Sequence, residues 1–295
     1  MTVVAQAEVP RVTTDIPPVH SLVASVMGDL GEPSLLLEGT GSVHAYALRP
    51  SQARQLQDSD VVIWVGAGLS PWLASELPVL AGQARSLELM ALPGTHRVSA
   101  RDGFALDEAH GHEHDHGHDD EDQGDPHGWL DTRNAAHWLD VIATTLSELD
   151  EPNAARYREN AAAALAGLQT LEERTEARLA GLHDRPFVML HDALGHFEYR
   201  FGLHARAALT DSDAQAAGPR RTQSVRDTLR SLSAPCLFIE TGTSRASWAP
   251  LVDGLPIEPV VLDPLGLTLD PGPALYEQLV TSLGDSIGTC LTGDA

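Results

Sequence analysis

The chain has 295 residues, 42% hydrophobic and 21% charged, with 42 acidic against 19 basic side chains and a formal net charge of −23. That length accommodates two lobes with real cores, and so acidic a chain has nothing to neutralise phosphates with, which excludes nucleic acid as a partner. No segment spans a bilayer: the longest uncharged run, residues 61–75, is too short and is broken by Gly66, Gly68 and Pro71.

Strand-like and helix-like stretches alternate along the chain, the pattern of α/β layers with mostly parallel sheets. Before the first of them, Ala5-Gln6-Ala7 has the small-x-small form of a signal-peptidase site, so residues 1–7 read as a signal-peptide remnant. Residues 9–14 form a first strand and 17–29 the following helix; 34–37 is a short apolar strand, and Pro50 opens a helix over 50–59. Residues 60–66 are a buried strand, 71–80 a helix and 86–90 another strand. Asp131 is suited to cap a helix over 132–149. From 152 to 182, Ala161, Leu165, Leu168, Leu171, Thr175, Leu179 and Leu182 recur at three- and four-residue steps, one apolar face of a single long helix. The pattern then restarts with strands over 187–190, 236–239 and 258–262 and helices over 224–232, 243–252 and 273–287. The expected architecture is an α/β chain of two lobes, each a mostly parallel sheet flanked by helices. Residues 8–150 make the first lobe, 151–182 a linking backbone helix and 183–295 the second lobe.

One segment fits neither lobe. Residues 102–125 hold ten acids and no Lys or Arg, and His110, His112, His114, His116 and His118 fall within nine residues. The stretch from 107 onward lacks apolar side chains for a core but offers imidazoles and carboxylates to a divalent metal. Outside it the acidic excess is 13, unremarkable for a soluble surface.

Ligands of α/β sheets sit beyond the carboxyl ends of the strands. Four metal-ligating residues lie at such places: His44 between a strand and a helix, His127 just before a helix, His191 closing the 187–190 strand, and Asp263 closing the 258–262 strand. Two come from each half, so they can clamp a metal in the cleft between lobes. Three imidazoles and a carboxylate suit four-coordinate Zn²⁺, whereas Mn²⁺ prefers more oxygen. Glu240 also ends a strand and can accept a hydrogen bond from a ligand. His196 can pack near the site, while His20, His137, His183 and His204 read as structural or exposed. The two cysteines, Cys236 and Cys290, are consistent with buried thiols or with a bridge.

These segments, in this order, resemble the zinc-binding solute-binding proteins of bacterial ABC importers. The resemblance rests on His44-Ala-Tyr-Ala-Leu-Arg-Pro-Ser51, Asp60-Val-Val-Ile-Trp-Val-Gly66, His127-Gly-Trp-Leu130, Phe187-Val-Met-Leu-His191-Asp192 through Glu198, Phe201-Gly-Leu203 and Leu262-Asp-Pro-Leu-Gly266. It implies metal ligation by His44, His127 and His191, with Asp263 as fourth ligand and water as the alternative. One departure is Val43, where members of the family often carry a Glu. The resemblance also implies a Cys236–Cys290 disulfide, worth about 3–4 kcal/mol and requiring an oxidising compartment.

The implied function is capture of Zn²⁺ in the periplasm and delivery to an ABC permease with its ATPase subunit, by a monomer that is not an enzyme. The His-rich loop would collect or buffer zinc or receive it from a periplasmic chaperone, unless it is a plain solvated insert. Alternatives are the same fold carrying Mn²⁺ or Fe²⁺, and a zinc hydrolase. Against the hydrolase, the chain has no His-Glu-x-x-His motif.

Overall fold

A computed structural model describes residues 9–37, 39, 42–101, 124–211, 217–232 and 236–293. The signal-peptide remnant and the five tract histidines lie outside the described residues. The first lobe is built on β1 (Val12–Thr14), β2 (Ser34–Leu35), β3 (Val61–Trp64) and β4 (Arg85–Glu88), in the order β2-β1-β3-β4. The second repeats that order with β5 (Phe187–His191), β6 (Ala205–Thr210), β7 (Cys236–Glu240) and β8 (Val260–Leu262), arranged β6-β5-β7-β8. Every pairing is parallel, with Thr13 opposite Val62 in the first sheet and Val188 opposite Leu237 in the second. In each sheet the order reverses between its two central strands, leaving a crevice at their carboxyl ends.

Helices α1 (Pro17–Met27), α2 (Pro50–Gln57), α3 (Pro71–Leu80) and α4 (Thr132–Leu149) belong to the first lobe. The first three carry a proline in the first turn, where its missing N–H costs nothing. Asp131 caps α4 as its sequence predicts, its carboxylate accepting the Arg133 backbone N–H at 3.0 Å. The linking helix α5 spans Ala154–Leu179, shorter than the 152–182 expected because Pro152 sits in a short 3₁₀ turn over Glu151–Asn153. Its 26 residues extend about 39 Å, and Tyr157, Ala161, Leu168, Leu171, Thr175 and Leu179 are its buried face.

Two elements escape the sequence reading: α6 (Gly195–Phe201) and β6. Seven residues are too few to establish a helical period, and β6, Ala-Arg-Ala-Ala-Leu-Thr, is an alanine-rich edge strand without strand-forming residues in alternation. Helices α7 (Pro219–Ser231), α8 (Arg245–Val252) and α9 (Leu275–Thr292) complete the chain.

The lobes share one core. A continuous cluster of buried side chains runs from Val12, Val61 and Trp138 through Tyr157 and Leu171 to Phe187, Phe238 and Leu283. Each fully buried large side chain in it contributes about 1.5–3 kcal/mol. Helix α9 returns across both lobes, packing on α1 and α5. At its start the Tyr276 backbone N–H donates to Ser21 Oγ at 3.0 Å, and the Tyr276 hydroxyl donates to the Trp129 carbonyl at 2.6 Å. The Trp129 indole N–H donates in turn to the Pro264 carbonyl at 2.7 Å. Cys236 and Cys290 form a disulfide joining β7 to α9, the pairing that the family resemblance implies.

Candidate metal centre

The second lobe contributes from its crevice. His191 is the last residue of β5 and Glu240 the last of the adjacent β7, on either side of the point where the strand order reverses. His191 Nδ1 lies 2.9 Å from Glu240 Oε1. A carboxylate can only accept, so the proton resides on Nδ1 and the Nε2 lone pair is left for a metal.

The first lobe supplies the same arrangement by different means. Asp125, two residues before His127, accepts the His127 backbone N–H at 2.9 Å and its Nδ1–H at 2.7 Å on the one oxygen Oδ1. Gly128 lets the Met90 side chain pack close against the backbone there, since a Cβ would collide with Met90 Sδ. His44 stands on the turn between β2 and α2. That turn is pinned on both sides of it: the Trp72 indole N–H donates to the Val43 carbonyl at 2.8 Å, and the Gln52 amide donates to the Tyr46 hydroxyl at 2.9 Å. Val43 is thus a buried anchor of the turn, at 3% exposure.

The three rings meet edge to face, with centroids 5.1 Å apart for His127–His191, 5.5 Å for His44–His191 and 5.6 Å for His44–His127. One nitrogen from each ring falls within 4.8 Å of the others. Tetrahedral zinc sets its ligands about 3.3 Å apart, so small side-chain movements close the set on a metal. His44 Nε2 is buried with no hydrogen-bond partner, an expensive arrangement unless something else takes its lone pair.

The electrostatics favour a cation. Burial first, then the like charges of His127 and His191, push the His44 imidazole down to a pKa of about 3, with Glu240 and a hydrogen bond to the Leu69 backbone opposing them. His44 is therefore neutral, and competent to bind metal, throughout the physiological range. Burial alone would raise the Glu240 carboxyl, but the charge of His191 and its hydrogen bond, with His127 and His44 beyond, hold it below its ordinary value. Asp125 is held down in the same way by His127.

The lowered His44 pKa carries a stability consequence. The unfolded imidazole titrates near 6.5 and the folded one near 3, so below pH 6.5 the unfolded chain binds the extra proton. The stability is intact above that pH and is lost as pH falls toward 3, at no more than about 1.4 kcal/mol per pH unit. Urea midpoints of the metal-free protein should fall between pH 7 and pH 5, and His44→Gln should reduce that fall. Equal losses in the two proteins would refute the assignment.

Asp263, expected as the fourth ligand, stands in the loop after β8 and outside the group of three histidines. Its Oδ1 accepts the Leu267 N–H at 2.9 Å, and its Oδ2 accepts the Thr268 N–H at 2.8 Å and the Thr268 hydroxyl at 2.6 Å. Both oxygens thus accept hydrogen bonds that shape the loop after β8, and Asp263 does not join the histidine group in this arrangement. The expectation placed it at a strand end correctly but had no sight of the Asx-type turn that follows. Asp263→Asn should accordingly change zinc affinity less than about threefold while loosening that loop; a hundredfold loss in a chelator competition would restore it as a ligand.

Asp125 and Arg101 were missed by sequence reasoning. Asp125 lies at the end of an acidic tract, and the only signal of its role is its place two residues before a ligand. Arg101 spans the lobes: its Nε donates to Asp192 Oδ2 at 3.0 Å and its Nη1 to Glu198 Oε2 at 3.0 Å. The histidines read as structural are so. His20 Nε2 bonds the Pro33 carbonyl at 3.0 Å, His137 Nε2 the Pro93 carbonyl at 2.9 Å, and His183 Nδ1 the Gly202 carbonyl at 2.8 Å, while His204 is exposed.

Known proteins are similar to this chain over nearly its whole length. Residues 12–290 match the family described as "ZnuA: Zinc-uptake complex component A periplasmic". The high-affinity zinc uptake system protein ZnuA of Paracoccus denitrificans is 40% identical over 98% of this chain and 94% of its own length. Its counterpart from Brucella suis is 36% identical over 95% and 91%. In fold, the periplasmic zinc-binding protein TroA of Treponema pallidum superposes with a TM-score of 0.80 at 19% identity, over 96% of this chain and 99% of its own. The inter-lobe trio of histidines, the repeated sheet order and the near full-length match together place this chain in the ZnuA family of periplasmic zinc-uptake components.

Proposed function

We propose that the chain captures Zn²⁺ between its lobes through Nε2 of His44, His127 and His191, with solvent at the fourth position, and hands it to a membrane permease driven by an ATPase subunit. One observation carries this reading. Three imidazoles drawn from three separate elements converge, two of them with Nδ1 fixed outward on Asp125 and Glu240. A carboxylate behind each ligand raises its basicity and fixes its tautomer, as metal sites require. An all-nitrogen protein set favours zinc over Mn²⁺ or Fe²⁺. Competitive titration tests this directly: zinc should displace manganese at equal concentration, and the reverse order would overturn the cargo assignment.

The site serves transport rather than hydrolysis. A hydrolase needs a general base beside the metal-bound water, and the nearby carboxylates Asp125 and Glu240 are both engaged by ligand imidazoles. The disulfide supports an oxidising compartment, hence the periplasm. No described helix is long and apolar enough to cross a membrane, so the energy-coupled step falls to partners. Release then requires the permease to favour a form in which a ligand-bearing segment has moved, breaking the set of ligands. We further infer a monomer, with the His-rich tract as an accessory zinc collector that a periplasmic chaperone can load.

The tract makes its own prediction. Changing His110, His112, His114, His116 and His118 to asparagine should leave the cleft affinity within about twofold, because ligands on separate folded elements need little ordering. The total zinc bound per chain should fall. Loss of the tightest binding on this change would relocate the principal site to the tract.

A further inference from the structure

A second group of ligating side chains stands apart from the cleft trio. His96, Asp131 and His196 place one donor atom each within 4.8 Å of the others. We propose that these three residues form a second divalent-metal site, of zinc-binding chemistry, next to the cleft centre but independent of it.

Each donor is fixed by a contact elsewhere. His196, on α6, has its Nε2 3.0 Å from the Asp125 backbone carbonyl. A carbonyl only accepts, so Nε2 carries the proton and Nδ1 presents its lone pair. The residue is fully buried at 0% exposure, and that Nδ1 has no hydrogen-bond partner. A buried acceptor left unsatisfied costs about 1–3 kcal/mol, and a bound cation would recover it. His96 is held by its backbone: its N–H donates to Asn134 Oδ1 at 2.7 Å, and its carbonyl accepts from Asn134 Nδ2 at 3.0 Å. Its ring stacks on Tyr199 at 4.3 Å, which aims Nδ1 toward Asp131 Oδ2, 3.2 Å away. Asp131 is fully buried, and Arg133 engages both its oxygens, Oδ1 through Nε at 3.0 Å and Oδ2 through Nη2 at 2.7 Å. Oδ2 keeps a second lone pair for a metal. Two imidazoles and one carboxylate are a zinc-type donor set, and His96 is the partly exposed member of the three.

Asp125 touches both centres, holding His127 with its side chain and His196 with its carbonyl. Among plain structural explanations, a protonated His96 paired with Asp131 would account for one contact. It would leave the His196 Nδ1 lone pair buried without a donor.

The test uses the full chain with the five tract histidines changed to asparagine, so that stoichiometry is readable. Equilibrium dialysis against Zn²⁺ should then give two zinc ions per chain, falling to one in His96→Gln with the tighter site unchanged. The His96 side chain is partly exposed and its anchoring hydrogen bonds are backbone ones, so this variant retains the fold, and circular dichroism checks it. His196→Asn should reproduce the loss. His44→Ala should remove the tight ion and spare the second, which separates failure of this proposal from failure of the cleft assignment. A single zinc in the parent, or two persisting in His96→Gln, overturns the second site.

Discussion

Replacing His191 with alanine should weaken zinc binding by more than about 100-fold, with the fold intact. Loss of a residue that only orients a ligand already costs 10–100-fold in affinity, and here the ligand itself goes. His191 ends a central strand of the second sheet at 6% exposure, so its loss removes a donor held rigidly in place. Glu240 would also be stranded, since it would lose the imidazole that it holds at 2.9 Å. Glu240→Gln isolates the orienting effect. A glutamine amide can donate to Nδ1, which would move the ring proton to Nε2, the atom that must face the metal. Affinity should then fall about 10–100-fold without loss of any ligand. Competition with a chromogenic chelator measures both variants. A His191→Ala protein that holds zinc within tenfold of the parent would show that the metal sits elsewhere.

The parts of this centre legible in the sequence are those marked by position. His44, His127 and His191 stand at strand ends or helix starts, and α/β topology directs ligands there. The two β-α repeats, the α3 and α4 boundaries and the cap at Asp131 were legible for related reasons, since proline and aspartate at helix starts act locally. Residues whose role depends on a distant partner were not. Asp263 looks as available as any strand-end carboxylate until the loop over Pro264–Thr268 folds back on it. Glu240 was legible as a strand-end acceptor for a ligand, but its pairing with His191 in particular needs β5 and β7 to be neighbours, although 49 residues separate the two. The second histidine group is less visible still, because His96, Asp131 and His196 come from a loop, a cap and a helix too short to show a period.

The shared core bears on how metal enters and leaves. Two lobes with separate cores open on a hinge, but here α5 and α9 both pack into a cluster continuous across the two sheets. Trp129–Pro264 and Arg101–Asp192 tie the walls on the cleft side. Small shifts of the His44 turn and of the Asp125–His127 segment therefore cost less than a rotation of whole lobes. Both segments carry histidines of the trio, and both lie outside regular strands and α-helices.

Removing the disulfide should have the largest effect on stability. The bridge closes a span of 54 residues, which on loop entropy stabilises the fold by about 4 kcal/mol. For a chain of this size that corresponds to a Tm lowered by about 6 °C. Cys236 begins the central strand β7 and is 2% exposed, so alanine suits it better than serine, which would bury an unpaired hydroxyl. The partner change is Cys290→Ser, at the partly buried end of α9. The double variant should still fold, because Leu279, Val280, Leu283 and Ile287 remain buried and Arg178 still bonds the Thr289 hydroxyl at 2.9 Å. Zinc affinity should stay within about threefold, since the bridge lies at the opposite end of β7 from Glu240. Zinc bound to the native state alone should then offset most of the lost stability, by about 4 kcal/mol at a free concentration a thousandfold above Kd. Calorimetry with and without the metal tests both statements. A Tm shift below 3 °C would mean that α9 is held by its packing alone, and loss of zinc binding would mean that the bridge sets the geometry of the cleft.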